Sequence, residues 1–309
     1  MSVSFHRHAV AVSAFALPLL AAVATAPAAI AEVATPAPTK SSADILAGAS
    51  PSDWRSPDPE NTIYMDLPGG RVVIELAPAF APQHVANIRT LVRAHYFDGL
   101  DVMRVQENYV VQWGDPDEKR DLGKIRKDTP AEYFRALTPD LPFARLADGD
   151  IYAPEVGWSD GFPAAEDPKA RQAWLTHCYG AVAVGRGDPP DNGTGAELYA
   201  VIGQAPRHLD RNLTVVGRVI QGMEWLSSLP RGTEALGFYA KPEQYVPIKN
   251  VRMAADVPEA ERVHIRLLRT DTPTWQAYVE SRRDRHEGFF VEPTGHVDLC
   301  NVPLPVKTD

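Results

Sequence analysis

Between Tyr96 and Pro116 the chain reads YFDGLDVMRVQENYVVQWGDP, and two of its side chains are equipped for chemistry that needs no cofactor. Arg104 stands alone in one short apolar run, and Gln112 lies inside the next. A guanidinium is planar, permanently charged and forked, so a fixed one stabilises electron density that develops on a bound group. An amide beside it either holds the guanidinium or grips a carbonyl. The bland alternative is an arginine that caps the end of a barrel or pairs with a carboxylate. Read alone, this stretch favours the alternative.

The elements that must position these two side chains are short strands. Asp98-Gly99 is a turn, Gln106-Glu107-Asn108 is a polar break, and Gly114-Asp115-Pro116 closes the second run. The pattern is that of a half-buried sheet with a site on one face. If Tyr109 opens the second strand, alternation puts Tyr109 and Val111 on one face and Val110 and Gln112 on the other. Upstream, Thr62 to Leu67 and Arg71 to Leu76 flank Pro68-Gly69-Gly70, which predicts a β-hairpin. Val85, Ile88, Leu91 and Val92 form the apolar stripe of a helix over His84 to Ala94. Downstream, Ala181 to Val184 reads as a small-residue strand followed by Gly185-Arg186-Gly187. A turn-rich loop and a strand over Glu197 to Ile202 come next. These glycines do not make a phosphate loop, because neither a Gly-Lys-Ser/Thr nor the strand-loop-helix order is present.

Composition bounds the rest. The 309 residues are 44% hydrophobic, enough for one substantial core and leaving one or two domains open. Net charge is −9 with no basic stripe, which argues against nucleic acid as a partner. The 28 prolines and 21 glycines favour turns and short strands over long helices. Residues 1–31 resemble a secretory signal, with Arg7, an apolar run from Ala9 to Ala22 and Ala29-Ile30-Ala31 before the expected cut at Glu32. That run is too short and too rich in alanine for a spanning anchor, so a soluble, periplasmic or secreted chain without stable membrane insertion is expected. Residues 32–60 read as a flexible Ala/Pro/Ser/Thr linker and an ordered, extended lead-in whose Trp54 indole packs on the domain. In an oxidising compartment Cys178 and Cys300 either pair, tying the C-terminal tail to the body, or remain as two buried thiols. His84, His95, His177 and His208 show no metal-ligand spacing with acidic residues, and neither metal nor cofactor is expected.

Two blocks together carry a family resemblance. The Arg104 segment resembles the cyclophilin stretch YYDGxxFHRVxxxFxxQGGDP. Tyr179 to Ile202, YGAVAVGRGDPPDNGTGAELYAVI, is similar to that family's Met-Ala-Asn-Ala strand, glycine-rich loop and Ser-Gln-Phe-Phe-Ile strand. His208-Leu209-Asp210, the strand over Leu213 to Ile220, and a helix from Met223 resemble the family's tryptophan-leucine-aspartate turn, next strand and closing helix. Val246 to Val251 would be the last strand. The resemblance covers about Thr62 to Met253 and implies a mainly β domain over 61–255. Its fold would be a closed antiparallel barrel of eight strands with two capping helices. Residues 117–177 are an insertion, expected as a loop with its own hairpin and a short helix over Asp167 to Trp174. Residues 256–309 lie outside as a C-terminal extension. In it Val263 to Leu268 reads as an edge strand and Pro273 to Arg285 as a helix, with an irregular tail from Glu287.

The resemblance further implies peptidyl-prolyl cis-trans isomerase activity on proline-containing segments, here of exported proteins. Arg104 would be catalytic, with Gln112 holding it or the substrate carbonyl. Tyr109, Val110, Tyr199, Leu209 and Leu213 would form the pocket, and the backbone of Gly185, Arg186 and Gly187 would pair with an extended peptide. Glu197 and His208 replace the family's usual glutamine and tryptophan, Arg186 its asparagine, and Leu213 its pocket histidine. Val102-Met103 replaces the usual Phe-His. The alternative, given these departures, is a non-catalytic proline-recognising binding module or chaperone.

Overall fold

The computed structural model describes residues 40–308. The expected signal peptide lies outside them. Of the expected linker and lead-in, the part from residue 40 on is described and carries ordered elements. Ser42–Ala47 form a helix, α1, whose N-cap Ser41 accepts from the Asp44 amide while the Asp44 carboxylate takes the Ser41 N–H. A two-residue strand, β1 (Trp54–Arg55), follows, and its indole is buried.

The hairpin forms as the sequence predicts, from β2 (Thr62–Asp66) and β3 (Arg71–Leu76). Next comes α2 (Pro82–Arg93), started by a proline in its first turn and burying Val85, Ile88, Leu91 and Val92. The strands β4 (Asp101–Val105) and β5 (Val110–Gly114) carry Arg104 and Gln112.

The insertion is more than a loop with one hairpin. Its strands β6 (Arg135–Ala136), β7 (Ala144–Arg145), β8 (Glu155–Ser159), β9 (Phe162–Asp167) and β10 (Gln172–Leu175) make a five-stranded antiparallel sheet in the order β6-β10-β9-β8-β7. The helix expected over Asp167 to Trp174 is absent. The Asp167 carboxylate instead accepts from the Ala170 amide and Arg171 is left-handed (φ 56°), so the chain turns and runs back as β10.

The chain then returns to the main sheet through β11 (Ala181–Val184), β12 (Leu198–Val201) and β13 (Val215–Gln221). A five-residue helix, α3 (Met223–Ser227), precedes β14 (Val246–Pro247) and β15 (Asn250–Met253). The main sheet has nine strands in the order β14-β4-β5-β12-β11-β13-β3-β2-β15, curled into a half-barrel around one hydrophobic core. It is not a closed eight-stranded barrel. The segment expected as one last strand breaks at Ile248-Lys249. Before the break it pairs with β4 at one edge, and after it with β2 at the other. At the break the backbone changes partner, Ile248 donating to the Leu100 carbonyl on the β4 side and Lys249 to the Asp66 carbonyl of β2, while the Ile248 side chain is buried in the core.

In the C-terminal extension, β16 (Ile265–Leu268) is the centre of a three-stranded sheet rather than an edge. It lies between β1 and β17 (Val306–Thr308), so the tail contributes a strand. The helix α4 (Pro273–Arg283) is capped by Thr272 and packs on α1, where Ser42 and Ser281 share a hydrogen bond. Insertion and extension meet in a second core, with Trp158 and Trp275 in edge-to-face contact at 4.8 Å between ring centroids. Cys178, just after the insertion, and Cys300 in the extension are joined by a disulfide, their Cα atoms 5.0 Å apart.

That bond closes a loop with a sequence separation of 122 residues. Replacing both cysteines by serine is expected to lower the unfolding free energy by about 2–5 kcal/mol in a denaturant titration. An unchanged midpoint would mean that packing alone holds the tail.

Candidate active site

The site is one row of side chains across adjacent strands. Arg104 of β4 stands opposite Gln112 of β5, Gln112 opposite Tyr199 of β12, Tyr199 opposite Ala183 of β11, and Ala183 opposite Val215 of β13. A bulge between Val102 and Arg104 sets the first of these pairings by leaving Met103 unpaired. The other face of the same strands, with Val111, Trp113 and Val184, fills the sheet's interior core.

Arg104, Gln112 and Tyr199 of this row line a cavity of about 110 Å³. Arg104, Gln112, Gly185 and Arg186 supply its polar part, and Tyr109, Val110, Tyr199, Leu209 and Leu213 its apolar walls. Tyr109 reaches the cavity although simple alternation puts it on the opposite face. Asn108 is left-handed (φ 52°) and β5 starts only at Val110, so the alternation does not extend back to Tyr109. Beneath the cavity lies a smaller core in which Phe162, Ala164 and Leu175 of the insertion pack with Ala183 and Tyr199.

Arg104 is held on three sides. Its Nε donates to the Leu236 carbonyl (2.6 Å), Nη1 to Gln112 Oε1 (2.8 Å) and Nη2 to Gln106 Oε1. Its carbon centre lies over the rings of Phe238 and Tyr109 at 5.4 and 5.8 Å. These partners are carbonyl and amide oxygens, which removes the reading of Arg104 as half of an ion pair. Of the five N–H donors of a guanidinium, two are left for a bound group. Burial lowers its pKa from the usual arginine value, opposed by Tyr109 and Glu197, and the group stays charged.

Gln112 is almost fully buried, and its orientation is fixed from behind. Its amide nitrogen donates to Glu197, so its oxygen must face Arg104. Glu197 does not line the cavity. Burial raises its pKa above the ordinary glutamate value, with the Gln112 hydrogen bond and the Arg104 charge pulling the other way. His208 also lies outside the cavity, exposed at the rim and stacked parallel to Tyr109 with centroids 6.4 Å apart. The Gly185 amide donates to the Glu197 carbonyl and the Gly187 amide to Asp191, so neither N–H is free to pair with a peptide. A Cβ at Gly185 would stand 2.5 Å from Glu197 Oε1, so any side chain there would displace the carboxylate that orients Gln112. Arg186 spans the rim, with Nη2 donating to the Asn212 carbonyl and its carbon centre 5.7 Å from the Tyr133 ring of the insertion.

Several partners were missed by sequence reasoning. Gln106 was legible only as part of a polar break, and Leu236 and Phe238 carried no signal. Beneath Tyr199 a buried polar chain runs Tyr199 Oη–His177 Nε2 (2.9 Å), His177 Nδ1–Asp210 Oδ1 (3.0 Å) and Asp210 Oδ2–Arg207 Nε (2.6 Å). It ends at Asp150, which pairs with Arg207 at 2.8 Å. His177 and Asp210 sit apart in sequence and were not paired by any motif. Among the described residues no group of three or more His, Cys, Asp or Glu is arranged to hold a metal, and no helix is long and apolar enough to cross a membrane.

Residues 62–253 match the model of the family described as cyclophilin type peptidyl-prolyl cis-trans isomerase/CLD. The chain belongs to the cyclophilin family. It is 30% identical over 180 residues to a probable peptidyl-prolyl cis-trans isomerase of Brucella suis, covering 58% of this chain and 76% of that one. It is also similar to the crystal structure of the cyclophilin AquaCyp293 from Hirschia baltica, with 26% identity and a TM-score of 0.65. That likeness covers 86% of this chain and 96% of the other. It therefore reaches beyond the 62–253 segment, so this cyclophilin shares part of its additional architecture with a solved relative.

The raised pKa of Glu197 has a stability consequence. A carboxylate whose folded pKa lies above its unfolded value destabilises the fold where it is charged in both states, and the penalty fades as pH falls through the folded pKa to the unfolded one. Glu197→Gln keeps an acceptor for Gln112 and removes that penalty. Its Tm is expected to exceed wild type at about pH 7.5, with the gain fading toward about pH 4 in a pH series of thermal melts. A gain that grows on acidification would contradict the assignment.

Proposed function

We propose that this cyclophilin isomerises X–Pro bonds in extended segments of exported proteins and so assists their folding. Export is supported by the signal-like residues 1–31, with a mature start near Glu32, and by a disulfide suited to an oxidising compartment. The observation that carries the catalytic part is Arg104. It is locked by Leu236, Gln106 and Gln112 in the wall of a cavity that also presents Val110, Tyr199, Leu209 and Leu213, with donors left over.

The chemistry needs nothing else. Rotation about a peptide bond is slow because amide resonance must be broken, at a cost of about 18–20 kcal/mol. In the twisted state the nitrogen lone pair is released and pyramidal, and it becomes a hydrogen-bond acceptor. The proline ring sits against Val110, Tyr199, Leu209 and Leu213, and the guanidinium is aimed at the nitrogen from the Gln112 side. That donor acts mainly in the twisted state, so it lowers the barrier more than it tightens binding. Its pre-set hydrogen bonds remove the reorganisation that a mobile side chain would need. With the Gly185 and Gly187 amides already used, an extended peptide pairs through Arg186 and through the carbonyls of this loop.

In a protease-coupled prolyl isomerisation assay, Arg104→Ala is expected to lose about 10²–10³ in kcat/KM, equivalent to about 2.7–4 kcal/mol, with its far-UV circular dichroism unchanged. Arg104→Lys is expected to stay near the alanine variant, because a point charge cannot satisfy Leu236, Gln106 and Gln112 together. Retention of more than about half the wild-type rate by Arg104→Ala would remove Arg104 from the mechanism. Wild-type protein that binds proline peptides without accelerating them would leave the binding-module reading.

A further inference from the structure

Proline isomerisation at this cavity uses the ring of Tyr199 but not its hydroxyl. A phenol in the wall of a proline pocket is a liability unless the hydroxyl is satisfied elsewhere, because an unpaired polar atom there favours water over a pyrrolidine ring. The structure supplies the partner. Tyr199 is 5% exposed, and its Oη lies 2.9 Å from Nε2 of His177, which is completely buried.

The chain of contacts behind His177 sets its tautomer. Asp210 Oδ1 accepts from both the backbone N–H and Nδ1 of His177, at 2.9 and 3.0 Å. In the neutral ring a hydrogen on Nδ1 leaves the Nε2 lone pair facing Tyr199, and in that tautomer the Tyr199 O–H donates inward, away from the cavity. Burial raises the Tyr199 pKa well above the usual phenol value, so the donated proton stays in place. Asp210 is held in turn by Arg207, whose fork also engages Asp150 at 2.8 and 3.2 Å. The Asp150 carboxylate takes the amides of Tyr152 and Ala153 as well, which ties it into the insertion. Both His177 and Asp150 belong to the 117–177 insertion.

We propose that His177 is a positioning residue for the proline pocket, holding the Tyr199 hydroxyl inward so that only the ring face is presented to substrate. Through the buried line His177–Asp210–Arg207–Asp150 the insertion thereby shapes the pocket it underlies. The inference rests on the cavity being the proline site.

The test is a double-mutant cycle on kcat and KM with a proline peptide. His177→Leu leaves the phenol without a partner, and an unsatisfied buried donor is expected to raise KM about fivefold or more while kcat changes little. In a Tyr199→Phe background there is no hydroxyl to misplace, and His177→Leu should then change KM by less than about twofold. His177→Gln presents an acceptor toward Tyr199 and a donor toward Asp210, and is expected to stay within about twofold of wild-type KM. It keeps the test decisive should the leucine variant fail to fold. Equal KM effects of His177→Leu in the two backgrounds, or a His177→Gln protein as impaired as the leucine variant, would overturn the proposal. Arg104→Ala, run alongside, separates the two readings: if it remains active the pocket assignment itself fails and this inference with it. If it is inactive and the cycle is additive, only the role of His177 fails.

Discussion

The register between β4 and β5 is the constraint on which the site depends. Side chains alternate along a strand, so a slip of one residue would move Arg104 from the cavity to the interior core and bring an apolar neighbour out in its place. The bulge at Met103 fixes that register, and with it the pairing of Arg104 with Gln112. Once Arg104 is in place, everything around it serves to immobilise it. Gln112 is oriented by Glu197, Gln106 comes from the turn that follows β4, and the Leu236 carbonyl comes from a distant loop. Leu236 is left-handed (φ 60°) with an exposed side chain, a backbone arrangement unfavourable for leucine that delivers its carbonyl to Arg104.

The same row explains why the pocket tolerates tyrosine. Tyr199 keeps the flat apolar face a ring binder needs, and its hydroxyl is absorbed by His177 below the pocket floor. Tyr109 does something different at the rim, where its ring lies near Arg104 and stacks on His208. Burial raises the pKa of both phenols, so neither adds negative charge to the site near neutral pH.

The insertion and the extension are joined to each other and to the pocket floor. Trp158, Trp174 and Trp275 build their shared core, the disulfide ties Cys300 to the residue that follows His177, and Phe162 and Leu175 reach under Tyr199. Both pieces share buried cores with strands of the main sheet, including Tyr64, Val73 and Ile220, and that common burial helps offset the entropy of ordering them.

Local features of the sequence determined the parts that rest on local physics. Pro68-Gly69-Gly70 between two alternating runs specified the β2–β3 hairpin, and the Val85-Ile88-Leu91-Val92 stripe specified α2; Arg104, Gln112, Tyr109, Val110, Tyr199, Leu209 and Leu213 were reached as pocket residues through the family resemblance of three segments, not through local physics. What long-range packing decides was not legible. The insertion read as a loop with a single hairpin because its outer strands β6 and β7 are only two residues long, and β6 meets its partner β10 from the other end of the insertion. The last strand read as one element, because nothing local says that its backbone will change partner between Ile248 and Lys249 and so divide it between two sheet edges. Leu236 and Phe238 around Arg104, and Asp210 behind His177, come from elements remote in sequence. They meet only when the sheet curls, and a hydrogen bond between such residues leaves no spacing to read.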